Sequence, residues 1–184
     1  MIKALAFIYK KKGLSDSDFK NYYEKNHAPL ATSLLTFEGY ERNFVNTNIN
    51  PLLASLGSIS IFQYQSIESL NYIEERMSSD VGDILREDEL KFMDVANNYF
   101  VLTQSDQLTE QKFNKKIFYP GNDMDDLSSL NSYKILKKIS DNIIIESTEI
   151  FGIAEYGITE KATFDDLEKL TQEYPKAIIT SCVY

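Results

Sequence analysis

The chain has 184 residues, 43% of them hydrophobic and 26% charged, a balance that suits a globular protein with a buried core. Acidic residues outnumber basic ones 28 to 19, so the surface repels phosphate backbones and nucleic acid is not an expected partner. One histidine, one cysteine and no tryptophan argue against a zinc centre and exclude an intrachain disulfide.

The chain opens on Ile2–Tyr9, apolar at nearly every position, which predicts a strand buried on both faces. This stretch is too short to span a bilayer and lacks the flanks of a signal peptide, so neither membrane insertion nor secretion is expected. Cys182, without an intrachain partner, fits a reducing compartment, and the expected location is cytoplasmic. Lys10, Lys11 and Lys12 before Gly13 read as a solvated strand end. Ser15 is a good N-cap with Asp18 three residues on, and Leu14 with Phe19 occupies the positions of a hydrophobic staple. The helix they open carries Phe19, Tyr22 and Tyr23 on one face. Pro29 disfavours helical geometry at Ala28, which predicts that His27 lies in or just after the last turn.

A second strand is expected from Tyr40 to about Asn46, then a loop from Thr47 to Gly57 whose apolar tip, Pro51-Leu52-Leu53, suggests a lid. Strand three runs from Ser58 to Tyr64, and Ser66 is placed to cap a helix bearing Ile67, Leu70, Ile73 and Met77. A helix over 81–97 and a strand over 99–103 complete a β-α-β-β-α-β order, the ferredoxin-like unit. Polar residues 105–115 read as a linker. Beyond it the pattern predicts a strand at 116–119, a helix at 125–138, strands at 142–147 and 149–156, a helix capped by Thr163 and a strand at 177–183. That is the same order again, a degenerate repeat without a counterpart of the His27 segment. The expected fold class is α+β, with units at 1–104 and 116–184.

His27 is the one side chain able to exchange a proton near neutral pH, which makes it the first candidate for chemistry. Its competing reading is a structural residue on helix-end carbonyls. No Gly-x-Ser-x-Gly elbow or glycine-rich phosphate loop is present. Asp123, Asp125 and Asp126 lack the glycine and distal glutamate of a calcium loop and suit a helix start instead, so no metal is expected.

Ile2–Phe7, Gly13-Leu14-Ser15, Tyr22-Tyr23-Glu24, His27-Ala28-Pro29-Leu30, Gly39–Asn46 and Asp88-Glu89 through Asp94 together resemble the EthD-like family of the dimeric α/β-barrel superfamily. The resemblance spans residues 1–104, and the tyrosine pair followed by His-Ala-Pro-Leu is its most specific part. Tyr23 stands where family members usually have tryptophan. The resemblance implies two ferredoxin-like sheets closed into a barrel, either in a homodimer or, given the repeat, as a pseudo-dimer within one chain. It also implies a cavity between sheet and helices into which the histidine points. Relatives act on small hydrophobic or polyketide-like molecules by dehydration, cyclisation, isomerisation or cofactor-free oxygenation. Some cousins use haem, but their other signature residues are not visible here, and no cofactor is expected.

With His27 as a base, five further residues become candidates for holding substrate. Tyr40 and Arg42 share a face of the second strand, where Arg42 could stabilise an oxyanion or simply be a surface charge. Tyr9 and Tyr64 end strands one and three, as hydrogen-bond donors or as rim packing. Tyr23 is four residues before His27, the spacing of neighbours on a helix. Asp94 could orient the base or be a solvated helix position. The expected function is a cofactor-independent enzyme moving a proton on a small hydrophobic molecule; the alternative is a non-catalytic ligand-binding or scaffold protein of the same fold.

Overall fold

The structure, a computed structural model, describes residues 1–107, 109–145 and 151–184. Eight antiparallel strands close into one barrel, in the order β1-β3-β2-β8-β5-β7-β6-β4 and back to β1. The first unit supplies β1 (Ile2–Tyr9), α1 (Asp16–Tyr22), α2 (Ala28–Leu34), β2 (Gly39–Val45), β3 (Leu56–Tyr64), α3 (Ile67–Met77), α4 (Asp80–Phe92) and β4 (Tyr99–Gln107). The second supplies β5 (Lys115–Gly121), α5 (Met124–Ser128), β6 (Leu136–Ile144), β7 (Gly152–Ile158), α6 (Phe164–Glu173) and β8 (Ile178–Val183). Within each unit the sheet runs fourth, first, third, second strand, and the two sheets join where β2 meets β8 and β4 meets β6. Closure therefore occurs within one chain, and it removes the open sheet edges that would invite aggregation.

The local signals behave as their chemistry requires. Ser15 accepts from the Asp18 N–H at the start of α1, and Thr163 with Asp166 forms a reciprocal capping box on α6. Ser66 precedes α3 without a side-chain capping bond. Gly13, at φ +92°, turns the chain from β1 into α1 in a conformation that suits glycine.

Four expectations are corrected. The helix does not stop at His27: residues 23–27 form a π-helical turn, with the Ala28 N–H on the Tyr23 carbonyl, and α2 continues beyond it. Pro29 is accommodated because it sits in the first turn of α2, where a missing N–H costs little. The helix expected over 125–138 ends early: α5 stops at Ser128, a 3-10 turn covers Ser129–Ser132, and β6 begins at Leu136. Pairing of β6 with both β4 and β7 overrides local helix preference there. Residues 105–107 of the expected linker lie in β4 and belong to the barrel wall. The apolar tip at residues 51–53 is a 3-10 turn whose Leu53 packs on the barrel-interior cluster and does not border the His27 cavity described below, so it is no lid for it. The expected strand residues 146, 147, 149 and 150 lie outside the described residues.

The barrel interior is apolar towards one end, with Leu5, Phe7, Ile59, Ile61 and Phe118, and ionic towards the other. Glu155 accepts from Lys3 Nζ at 3.2 Å and from Lys116 Nζ at 2.6 Å, and Lys116 also reaches both oxygens of Glu41 at 2.6 and 2.7 Å. Against the effect of burial, the two lysines hold the Glu155 carboxyl well below its usual range. The pairs Lys3–Glu155 and Lys116–Glu41 each cross between units, tying the two sheets together with charges that neither half could bury alone. No helix among the described residues is long and apolar enough to cross a membrane.

Candidate active site

On its helix-facing side β1 presents Ala4 and Ala6, side chains too small to fill the space beneath the helices. A cavity of about 390 Å³ results, bounded by β1, β3 and β4 on the sheet side and by α2, α3 and α4 above. Its walls are mostly apolar, including Leu35, Phe62, Ile73, Met77 and Leu85, and His27 enters from the π turn. Phe100 of β4, 64% exposed, marks the rim.

His27 is buried, with Nδ1 3.0 Å from Asp88 Oδ2 on α4. The same carboxylate accepts from the Tyr22 hydroxyl at 2.7 Å, with Lys91 Nζ 3.5 Å away. Burial works against the Asp88 charge, but Tyr22, His27 and Lys91 together hold its carboxyl below the ordinary value. An ionised Asp88 can only accept, so Nδ1 carries the proton and Nε2 keeps a free lone pair. Burial lowers the His27 pKa, outweighing the Asp88 bond that raises it. The imidazole is therefore neutral at pH 7, in the tautomer a base requires.

The π turn widens the helix by one residue per turn, and here it seats both Tyr23 and His27 on the buried side. Tyr23 packs edge-on against His27 with ring centroids 5.1 Å apart, and Phe92 lies 5.1 Å from the imidazole on another side. The Tyr23 hydroxyl accepts from Tyr40 at 2.9 Å and meets Ser60 Oγ at 2.9 Å. Burial pushes Tyr23 up to about 12 despite those bonds, so the network stays protonated and neutral.

The expected substrate-binding residues divide. Tyr64 lines the cavity, and burial pushes it up to about 12; among the described residues its hydroxyl has no hydrogen-bond partner. Tyr23 supports the histidine, and Tyr40 stacks on the cavity residue Phe62 at 4.7 Å. Arg42 lies apart: Nε and a terminal nitrogen donate to Glu24 at 3.0 and 3.1 Å, and the other terminal nitrogen donates to the Tyr40 carbonyl. Tyr9 borders the barrel-interior cluster, on the opposite face of the sheet from His27. Asp94 is 2.8 Å from Asn97 and opens a 3-10 turn, while Asp88 is the carboxylate that meets the histidine.

Two residues gain significance from the structure. Leu85, Asp88 and Phe92 form the buried stripe of α4, so a carboxylate at an apolar helix position was the signal for Asp88. Glu89, the next residue, lines the cavity, and burial raises its pKa. The lining holds two carboxylates, Glu74 and Glu89, and no lysine or arginine among the described residues. A haem brings two carboxylates of its own, so this donor set does not fit one. Asp123 and Asp126 are committed to capping α5, and no group of three potential metal ligands occurs among the described residues.

A tyrosine-flanked histidine held by a helix carboxylate above a four-stranded sheet is carried by a stretch that matches a family model. Residues 11–96 match the EthD domain. No curated protein matches the chain. Among solved structures, a candidate monooxygenase from Lactobacillus acidophilus NCFM aligns with a TM-score of 0.53 at 10% identity, covering 99% of this chain and 92% of that one. A candidate chlorite dismutase aligns at 0.57, also at 10% identity, covering 99% of this chain and 94% of that one. At such identity the likeness is one of fold, the dimeric-type α/β barrel, and the stretch that matches the EthD domain forms much of its first unit.

Proposed function

We propose that the protein is a cofactor-independent enzyme that uses His27 as a proton-transfer group on a small hydrophobic, polyketide-like molecule bound under the helices of the EthD unit. The observation that carries this reading is the pairing of His27 Nδ1 with Asp88 at the wall of an apolar cavity of about 390 Å³. An apolar molecule with an acidic C–H or an enolisable carbonyl would enter at the Phe100 rim and replace water there. His27 Nε2 takes the proton, and Asp88 stabilises the imidazolium that forms, a role worth roughly 10²–10⁴-fold in rate. The Tyr64 hydroxyl, which stays protonated, donates to the developing oxyanion. Glu89, on the cavity wall with a pKa raised by burial, is the second group placed to exchange a proton with a leaving hydroxyl or with carbon. Dehydration, cyclisation and isomerisation all use this sequence of abstraction and return. In this reading the first unit, through β4, binds and converts the substrate, and the second, from β5 onward, completes the barrel.

The test is incubation of wild type and His27→Asn with a small-molecule extract, followed by untargeted mass spectrometry. A compound consumed by wild type and spared by the variant is the expected result. A compound recovered intact from both would place the protein among non-catalytic binders of the same fold.

A further inference from the structure

The second unit contains a hollow that the His27 chemistry leaves unused. It measures about 670 Å³ and lies where the approach to β5, the start of β6 and the loop after β7 converge. Its lining brings together Lys112, Lys115, Lys134 and Lys161 against a single carboxylate, Glu160. Four positive charges minus one leave the cleft at +3, within a chain whose net charge is −9. Lys10, Lys91, Lys138 and Lys176 all have a carboxylate oxygen within 4.0 Å. Among the described residues none of the four cleft lysines does. In a protein with nine surplus acids, like charges have been gathered and left without counter-charges, an arrangement that concentrates positive potential in a concave space.

The site is built into the fold. Gly157 faces the Phe113 ring, and a Cβ at that position would run into it. Phe113 is thereby buried, its N–H donates to the Tyr184 hydroxyl at 2.8 Å, and its carbonyl accepts from the same hydroxyl at 3.0 Å. The Asn114 carbonyl accepts from the Cys182 N–H at 2.9 Å. With 113 and 114 fixed to the end of β8, Lys112 and Lys115 are carried on an anchored segment. Gln111 is held in turn by Lys137 Nζ at 2.8 Å.

We propose that this cleft binds a small, multiply charged anion, a phosphate ester or a polycarboxylate. Lysine ammoniums act as point charges without the planar fork of arginine, so they select charge number over group geometry. Thr159 and Asn114 add neutral polar groups among them. The inference stands apart from the proposed chemistry at His27: every lining residue lies between 111 and 162, outside the EthD match.

Titration calorimetry with pyrophosphate and with citrate, at low ionic strength, tests it. Wild type and His27→Asn should bind at least one of the two equally well. Lys112→Gln combined with Lys161→Gln should weaken that binding by about tenfold or more, and Lys12→Gln, on the first unit, should leave it unchanged. Raising monovalent salt should weaken it too, as screening requires. Preference for pyrophosphate identifies a phosphate ester and preference for citrate a polycarboxylate. Absence of binding by both, or binding that the double variant leaves intact while it folds with unchanged circular dichroism, overturns the proposal.

Discussion

The two units share strand order and opposite roles. Lys3 and Lys116 are each the second residue of a unit's first strand, and both point into the barrel and reach Glu155. Counting from them, Ala4 and Ala6 correspond to Ile117 and Tyr119. The first pair leaves the cavity beside His27, while the second pair sits in a filled core with Leu127, Leu130, Tyr156, Leu167 and Leu170. There the Tyr156 hydroxyl reaches the Leu127 carbonyl at 2.9 Å and Asn131 at 3.0 Å, closing the layer between sheet and helices. The layer between sheet and helices is thus hollow in one copy and solid in the other, and side-chain volume on one face of the first strand accounts for much of the difference. A fold of this type supplies positions, and local residues decide whether a position becomes a site.

The sharpest way to break the comparison is to remove the groups that only the hollow unit has. His27→Asn should reduce turnover of the compound found by mass spectrometry roughly 10²–10⁴-fold, with little change in its Kd. Transplanting the solid unit's residues, Ala4→Ile with Ala6→Tyr, should abolish ligand uptake in equilibrium binding. Overpacking of this kind costs about 1–3 kcal/mol, so the thermal midpoint should fall only modestly. The reverse experiment, Tyr156→Ala, opens a void in the second unit and should lower stability by about 3–5 kcal/mol in denaturant titration, leaving kcat for the same compound intact.

A smaller effect is expected in pH. The base must be neutral, so activity should be lost as pH falls through the His27 pKa. Burial places that value below 6.5, and activity should persist to lower pH than an ordinary histidine permits. Asp88→Asn removes the partner that raises the value, so the acid limb of the pH–rate profile should move further down while kcat falls. The same depressed pKa means that His27's contribution to folding stability is complete above the unfolded value near 6.5. It fades as pH falls from there towards the folded value, because the unfolded chain binds the proton more readily. The smallest effect expected is from Tyr9→Phe, which alters the barrel-interior side and should leave turnover within about twofold of wild type.

Much of the first unit was legible from spacing and chemistry: the doubly buried β1, the caps at Ser15 and Thr163, and a lone histidine after a tyrosine pair. What escaped was set by partners far away in the chain. Asp88 is 61 residues from His27, and only the packing of α4 against the π turn brings them together. The π turn itself arises where helix continuity meets Pro29, a conflict whose resolution local preference does not specify. Arg42 and Tyr9 were candidates because strand alternation gives a face but not which face looks at the cavity. Residues 136–138 read as helix because the strands that pair with β6 are distant in sequence. The ionic end of the barrel interior, Lys3 with Glu155 and Lys116 with Glu41, contradicts the usual reading of charges as surface and depends entirely on closure.

His27 waits in the cavity neutral, protonated on Nδ1 towards Asp88 and free on Nε2. Because the chain has one histidine, ¹⁵N-detected NMR of the imidazole over a pH series reads this without ambiguity. An Nδ1–H tautomer at pH 7 and a titration midpoint below 6.5 are expected. A midpoint above 6.5, or a proton found on Nε2 at neutral pH, would contradict that expectation.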